Sequence, residues 1–251
     1  LRTGKLNELL VCSLYYATLD GMAREKRVSL FAGDVEVRSH YTCPDISELT
    51  EDVLTDLSER GFEAIKVKVG ARPASEAQRL SKLARHSLFN WRLDFNGQGG
   101  EEFLQKASPA FLSRVEFVED PCAFDLKKWQ RLEKKFGVAV ARDSFGASPA
   151  NGYSGIRVVK PARTSLKLRK RDILTNSMDH PVGQSFAFWE AQQYVAGWKK
   201  QPRDYGIKTN HLLKPDDFSR EIFDESPFFT FSDGYGVGFN KLLEKLKWTA
   251  L

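Results

Sequence analysis

Residues Ala64–Val69 read AIKVKV, apolar and charged residues alternating from Ile65, and Gly70 closes the run. Such a period-two pattern predicts a β-strand with one apolar face and one face carrying Lys66 and Lys68. Outward from it the chain alternates strand and helix patterns. Upstream, 35–42 is expected as a strand and 51–61 as a helix. Downstream, strands are expected over 91–95, 115–118, 138–141, 156–159, 173–177 and 206–210. Helices are expected over 75–87, 101–107, 125–136 and 183–198.

Alternating strands and helices imply a parallel sheet. Eight strands in a chain of 251 residues suit a closed β/α barrel. An open doubly wound sheet would carry a glycine fingerprint after its first strand, and none is present. The crossover 164–171 is too short for the usual β-helix-β connection. Two further helices, 6–26 and 241–247, lie outside the repeats and are expected to pack together. The expected division is 1–34 as the remnant of a capping domain with its linking helix, 35–215 as the barrel, and 216–251 as a segment returning to the cap side. The chain opens on Leu1 rather than Met, which raises the expectation that it starts within a longer natural chain.

In a β/α barrel the chemistry stands at the carboxyl ends of the strands. Those ends carry, in order, Lys66 and Lys68; Arg92, Asp94 and Asn96; Glu119-Asp120-Pro121; Asp143; and Lys160-Pro161. Asp94, Glu119 and Asp143 lie 25 and 24 residues apart, one β/α unit each. Three carboxylates without a histidine suit a hard cation such as Mg2+. Such a site suits removal of a proton α to a carboxylate, where the ion offsets the charge that develops. A lysine serves as base when neutral, a form that a neighbouring ammonium favours.

These strings resemble the enolase superfamily, in its muconate-lactonising branch and there the o-succinylbenzoate synthases: Ile65–Gly70 (IKVKVG), Arg92–Gly97 (RLDFNG), Arg114–Cys122 (RVEFVEDPC), Ala141–Ser144 (ARDS) and Arg157–Pro161 (RVVKP). The resemblance implies a modified TIM barrel with an incomplete N-terminal capping domain. It implies Lys68 as general base, Lys160 opposite it stabilising the anionic intermediate, and Mg2+ on Asp94, Glu119 and Asp143. Lys66, Arg92, Asn96, Thr175 and Asn176 would contact or orient the substrate. Arginine two before the metal aspartate leans the reading toward the synthases. The implied activity is a Mg2+-dependent hydro-lyase making o-succinylbenzoate for menaquinone, with a small carboxylate as substrate and the cytoplasm as its place. N-succinylamino acid racemase or dipeptide epimerase is the alternative on the same scaffold. Two departures stand out. Asp143 is followed by Ser144 where the family has Asp-Glu-Ser, and the seventh strand ends Thr175-Asn176-Ser177-Met178-Asp179 rather than in a serine-rich string with Glu.

Other classes fare worse. The net charge of +5 is scattered in short pairs flanked by acidic residues, and only 167–171 is densely basic, so a nucleic-acid partner is not expected. No apolar run is long enough to span a membrane. Three cysteines (Cys12, Cys43, Cys122) without CxxC spacing argue against disulfides and zinc. The four histidines share no metal spacing, and Gly97–Gly100 reads as a tight loop rather than a phosphate cradle.

Overall fold

The structure is a computed structural model and describes residues 7–31, 35–143, 153–164, 167–197 and 204–247. The chain divides into two compact units, Ser39–Val159 with Arg169–Ile173, and Leu1–Arg38 with Lys160–Leu168 and Leu174–Leu251. Each is described by itself.

In the first unit, parallel strands follow one another in chain order: β1 (Tyr41–Cys43), β2 (Ala64–Lys68), β3 (Asn90–Asp94), β4 (Val115–Glu119), β5 (Val140–Asp143), β6 (Ile156–Val159) and β7 (Ile173–Leu174), whose last residue belongs to the second unit. The alternation read from the sequence decides the faces. Ile65, Val67, Trp91, Leu93 and Val118 form one face and pack under apolar residues of the intervening helices, among them Leu54, Leu57, Leu80, Phe103 and Trp129. Those helices are α2 (Glu51–Glu59), α3 (Pro73–Leu83), α4 (Gly100–Lys106), α5 (Pro109–Leu112) and α6 (Leu126–Phe136). Thr50 and Asp125 cap α2 and α6 by accepting from Val53 and Lys128 backbone N–H groups. Gly137 ends α6 in the left-handed region. The opposite face bears the charged residues and a smaller apolar cluster of Phe117, Ala141, Ile156, Val158 and Ile173.

The expected glycine loop is a close packing of turns. Gly99 has φ +78°, and a Cβ there would meet the Gly70 carbonyl at 2.6 Å. Gly70 has φ +107° and faces the Gln98 carbonyl in the same way. The turn after β2 is closed by the buried Glu76, whose carboxylate accepts from Gly70 N–H at 2.6 Å and Arg72 N–H at 3.0 Å.

Between β6 and β7 no helix occurs among the described residues. An ion pair takes over the return: Arg157 Nε donates to the fully buried Asp172 at 2.9 Å, and Arg169 N–H donates to the same carboxylate at 2.6 Å.

The second unit holds α1 (Glu8–Glu25), α7 (Pro181–Ala196), α8 (Asp217–Glu221) and α9 (Asn240–Leu243). Asp20 accepts from Val237 N–H at 2.8 Å, and Arg24 donates to the Gly238 carbonyl at 2.7 Å and to Asn240 at 2.9 Å. The final helix is Asn240–Leu243, four residues long, beginning one residue before the expected 241 and ending four before 247.

The first and eighth expected strands need correction. Of 35–42, only 41–42 lie in β1; Arg38 makes a single antiparallel bridge to Phe228. Of 206–210, Gly206 alone makes a parallel bridge, to Thr175. Lys208 there turns its ammonium onto the carbonyls of Asp224, Ser226 and Phe228, and a 3-10 turn starts at Asn210. Among the described residues the sheet therefore numbers seven strands rather than eight.

Candidate functional site

Successive strand ends of the first unit step across one another through backbone bonds. Val69 N–H donates to Asp94 O at 2.9 Å, Phe95 N–H to Glu119 O at 3.0 Å, and Asp120 N–H to Ala141 O at 3.0 Å. The register pairs Lys66 with Arg92 and aligns Lys68, Asp94 and Glu119. Paired residues of parallel strands point to one face, so the charged row follows from the pairing.

Lys66 Nζ lies 3.0 Å from Asp94 Oδ2 and 2.7 Å from Glu119 Oε2. Burial alone would depress this ammonium, but the Glu119 and Asp94 charges outweigh it and hold the pKa above the usual lysine value. Glu119 is 2% exposed. Its carboxyl is pushed up by burial, opposed by Lys66 and reinforced by Asp94 and Asp143. Asn96, at φ +50°, donates to Asp94 Oδ1 at 3.2 Å and so orients that carboxylate. Lys68 is exposed at the end of β2, and Asp143 is half-buried at the end of β5. Ser144 lies outside the described residues.

Arg92 is 1% exposed. Its Nε and Nη2 each reach Glu116 Oε2 at 2.8 Å, its Nη1 faces His40 Nδ1 at 2.7 Å, and its guanidinium stacks over Phe117. A register shift opposite Trp91 and Arg92 brings Glu116 within reach. The buried guanidinium therefore forms a layer with the buried His40 and the partly exposed Glu116.

Lys160, Thr175 and Asn176 belong to the second unit. Lys160 follows β6, and its carbonyl accepts from Arg163 and Thr164 in a turn. Asn176 donates to Ile207 O at 2.7 Å and accepts from Thr209 Oγ1 at 3.0 Å, so its side-chain amide pins the chain at 207–209. Thr175 is buried, with Oγ1 lacking a hydrogen-bond partner. A cavity of about 730 Å³ in this unit is lined by Tyr16, Asp20, Arg24, Ala162, Phe186 and Tyr235 among others, and by none of the candidate residues.

Asp120 stands at the end of the fourth expected strand, with no role assigned to it from the sequence. At φ +44° the backbone turns this residue out of the strand pattern, and burial, with Asp143 nearby, raises its carboxyl to about 6. Its position directly after Glu119 was the available signal, but strand alternation assigns adjacent residues to opposite faces.

For a divalent ion the donors fit in kind: carboxylates on three adjacent strands, with Glu119 Oε2 buried and taking no aligned hydrogen bond despite its contact with Lys66. As they stand, no three or more His, Cys, Asp or Glu side chains among the described residues are close enough together to hold a metal. The Lys66 ammonium lies against the first two.

No family model matches the sequence. The chain is 28% identical over 267 residues to an o-succinylbenzoate synthase of Bdellovibrio bacteriovorus, an alignment covering all of this chain and 80% of that protein. The crystal structure of a mandelate racemase/muconate lactonizing enzyme from Roseiflexus sp. superposes with a TM-score of 0.68 at 15% identity, covering 93% of this chain and 74% of that one. A dipeptide epimerase from Enterococcus faecalis, complexed with Mg and the dipeptide L-Leu-L-Tyr, superposes with a TM-score of 0.66 at 16% identity, covering 89% and 70%. The chain is therefore similar to proteins named o-succinylbenzoate synthase, and its fold is the modified β/α barrel of the solved mandelate racemase/muconate lactonizing enzymes.

Proposed function

We propose that this chain is an o-succinylbenzoate synthase, a Mg2+-dependent carbon–oxygen lyase. It would dehydrate 2-succinyl-6-hydroxy-2,4-cyclohexadiene-1-carboxylate to o-succinylbenzoate, a step of menaquinone synthesis in the cytoplasm. The observation that carries this reading is the similarity to the Bdellovibrio synthase over all of this chain and 80% of that protein. The aligned lysines and carboxylates of β2, β3 and β4 support it.

Asp94, Glu119 and Asp143 would hold Mg2+, which when bound supplies Lewis-acid stabilisation of the charge developing on the substrate carboxylate. Lys68, exposed and next in line to Asp94, takes the proton α to that carboxylate. The electron pair left behind expels the neighbouring hydroxyl, which leaves as water with the proton returned by Lys68. The ring becomes aromatic, which drives the step. Lys66 is assigned to the substrate carboxylate, and Lys160, by its RVVKP motif, to the anionic intermediate. Arg92 is assigned a supporting role through the layer it forms with His40 and Glu116. Asn96 steadies Asp94. Thr175 and Asn176 are assigned to shaping the substrate's surroundings, Asn176 through its bonds to Ile207 and Thr209.

The test is an assay of purified protein on the cyclohexadiene carboxylate and on an N-succinylamino acid, with and without Mg2+. Dehydration that stops on chelation is the expected outcome. Racemisation without dehydration would overturn the assignment in favour of the racemase or epimerase reading. A basic nucleic-acid-binding role would show as salt-sensitive binding with neither activity.

A further inference from the structure

The Lys66 ammonium touches two of the carboxylates that would hold a metal ion. It sits 3.0 Å from Asp94 Oδ2 and 2.7 Å from Glu119 Oε2, with its side chain 13% exposed. An octahedral Mg2+ lies about 2.0–2.1 Å from its oxygen ligands and brings bound water with it. An ammonium contacting both carboxylates fills that volume, and two cations a few ångströms apart in so buried a place repel strongly. Lys66 and the ion are thus alternatives at these oxygens.

The surroundings also set where Lys66 can go. Its Cα is paired with Arg92, and the buried Arg92 guanidinium is held by His40 and Glu116. Charge closes that side against a second cation. The path left runs toward the exposed end of β2, where Lys68 stands. A four-carbon stem permits the swing without backbone movement.

We propose that Lys66 is an internal counter-ion of Asp94 and Glu119 that a divalent cation must displace, so that metal loading releases its ammonium toward the substrate end of the site. The inference rests on the metal reading given above, and goes beyond it by assigning Lys66 the setting of metal affinity. Competition within the site would keep the buried Glu119 paired at every stage.

Two measurements test it without any assay of turnover. Mg2+ binding is followed by titration calorimetry on the wild-type chain, Lys66→Met and Glu119→Gln. Trace acetylation of Lys66 is followed by mass spectrometry with and without Mg2+, with the exposed Lys82 as internal reference. The expected results are an affinity about tenfold or more tighter in Lys66→Met, loss of binding in Glu119→Gln, and Lys66 labelling that rises when Mg2+ is added to wild type. Equal or weaker binding in Lys66→Met, or labelling that Mg2+ leaves unchanged, overturns the displacement while the metal reading stands. Mg2+ binding to neither wild type nor Lys66→Met overturns the metal reading and the inference with it. If Lys66→Met fails to fold, Lys66→Gln replaces it, and the wild-type labelling decides alone.

Discussion

The two units of this chain are held together in different ways. In Ser39–Val159 with Arg169–Ile173, neighbouring strands are joined by parallel ladders, five residues deep between β2 and β3 and shifted in register once between β3 and β4. In the other unit, single bridges join Thr175 to Gly206 and Arg38 to Phe228, and side chains supply the rest through backbone groups. Lys208 gathers three carbonyls, Asn176 holds Ile207, and Asp20 with Arg24 holds 237–240. The ladder spaces functional residues at even intervals, so their positions follow from counting. Side-chain ties obey no period, so the residues that make them do not announce themselves.

Four substitutions sharpen or break this contrast. Lys68→Met is expected to lower kcat by about 10²–10⁴-fold or more, measured by initial rates. Because Lys68 is exposed, its thermal midpoint should stay near wild type. A variant with ordinary turnover would remove Lys68 from the role of base. Asp172→Ala removes the buried carboxylate that accepts from both Arg157 and the Arg169 N–H, and urea unfolding should report a loss of about 3–5 kcal/mol. Lys208→Met leaves three carbonyls without their donor and should cost about 1–3 kcal/mol by the same measurement. A larger loss from Lys208→Met than from Asp172→Ala would reverse the ranking of the two kinds of tie.

The smallest effect concerns Glu190, whose carboxyl is raised by burial despite accepting from the Tyr16 hydroxyl at 3.0 Å. A carboxyl with a raised folded value binds its proton more tightly in the folded state. Its burial therefore costs stability as pH climbs from the ordinary carboxyl value of 4.5 through the raised folded one. Glu190→Gln keeps an acceptor for Tyr16 and should gain stability relative to wild type at pH 7 but not at pH 4. Thermal melts at the two pH values check this, and parallel curves for both proteins would show that Glu190 does not titrate differently on folding.

Much of the first unit was legible because its signals are local. AIKVKV alternates, so Ile65 and Val67 go under the helices and Lys66 goes to the other face. The helices over α2, α3, α4 and α6 begin within two residues of expectation. The four-residue α5 went unread, being too short to show a period. Strand 206–210 was misjudged for another reason. Ile207 is fully buried as a strand residue would be, but Lys208 is drawn onto carbonyls far along the chain and Asn210 opens a 3-10 turn.

The sequence alone determined the order of the charged residues, their spacing by one β/α unit and the face each takes, since alternation and repeat length are properties of neighbouring residues. Only the tertiary structure decided that Lys66 lies on Asp94 and Glu119, that Asp120 turns inward at a positive φ, and that Arg92 is sealed between His40 and Glu116. Those outcomes depend on partners dozens of residues away and on distances of a few tenths of an ångström. Both are set by packing rather than by period.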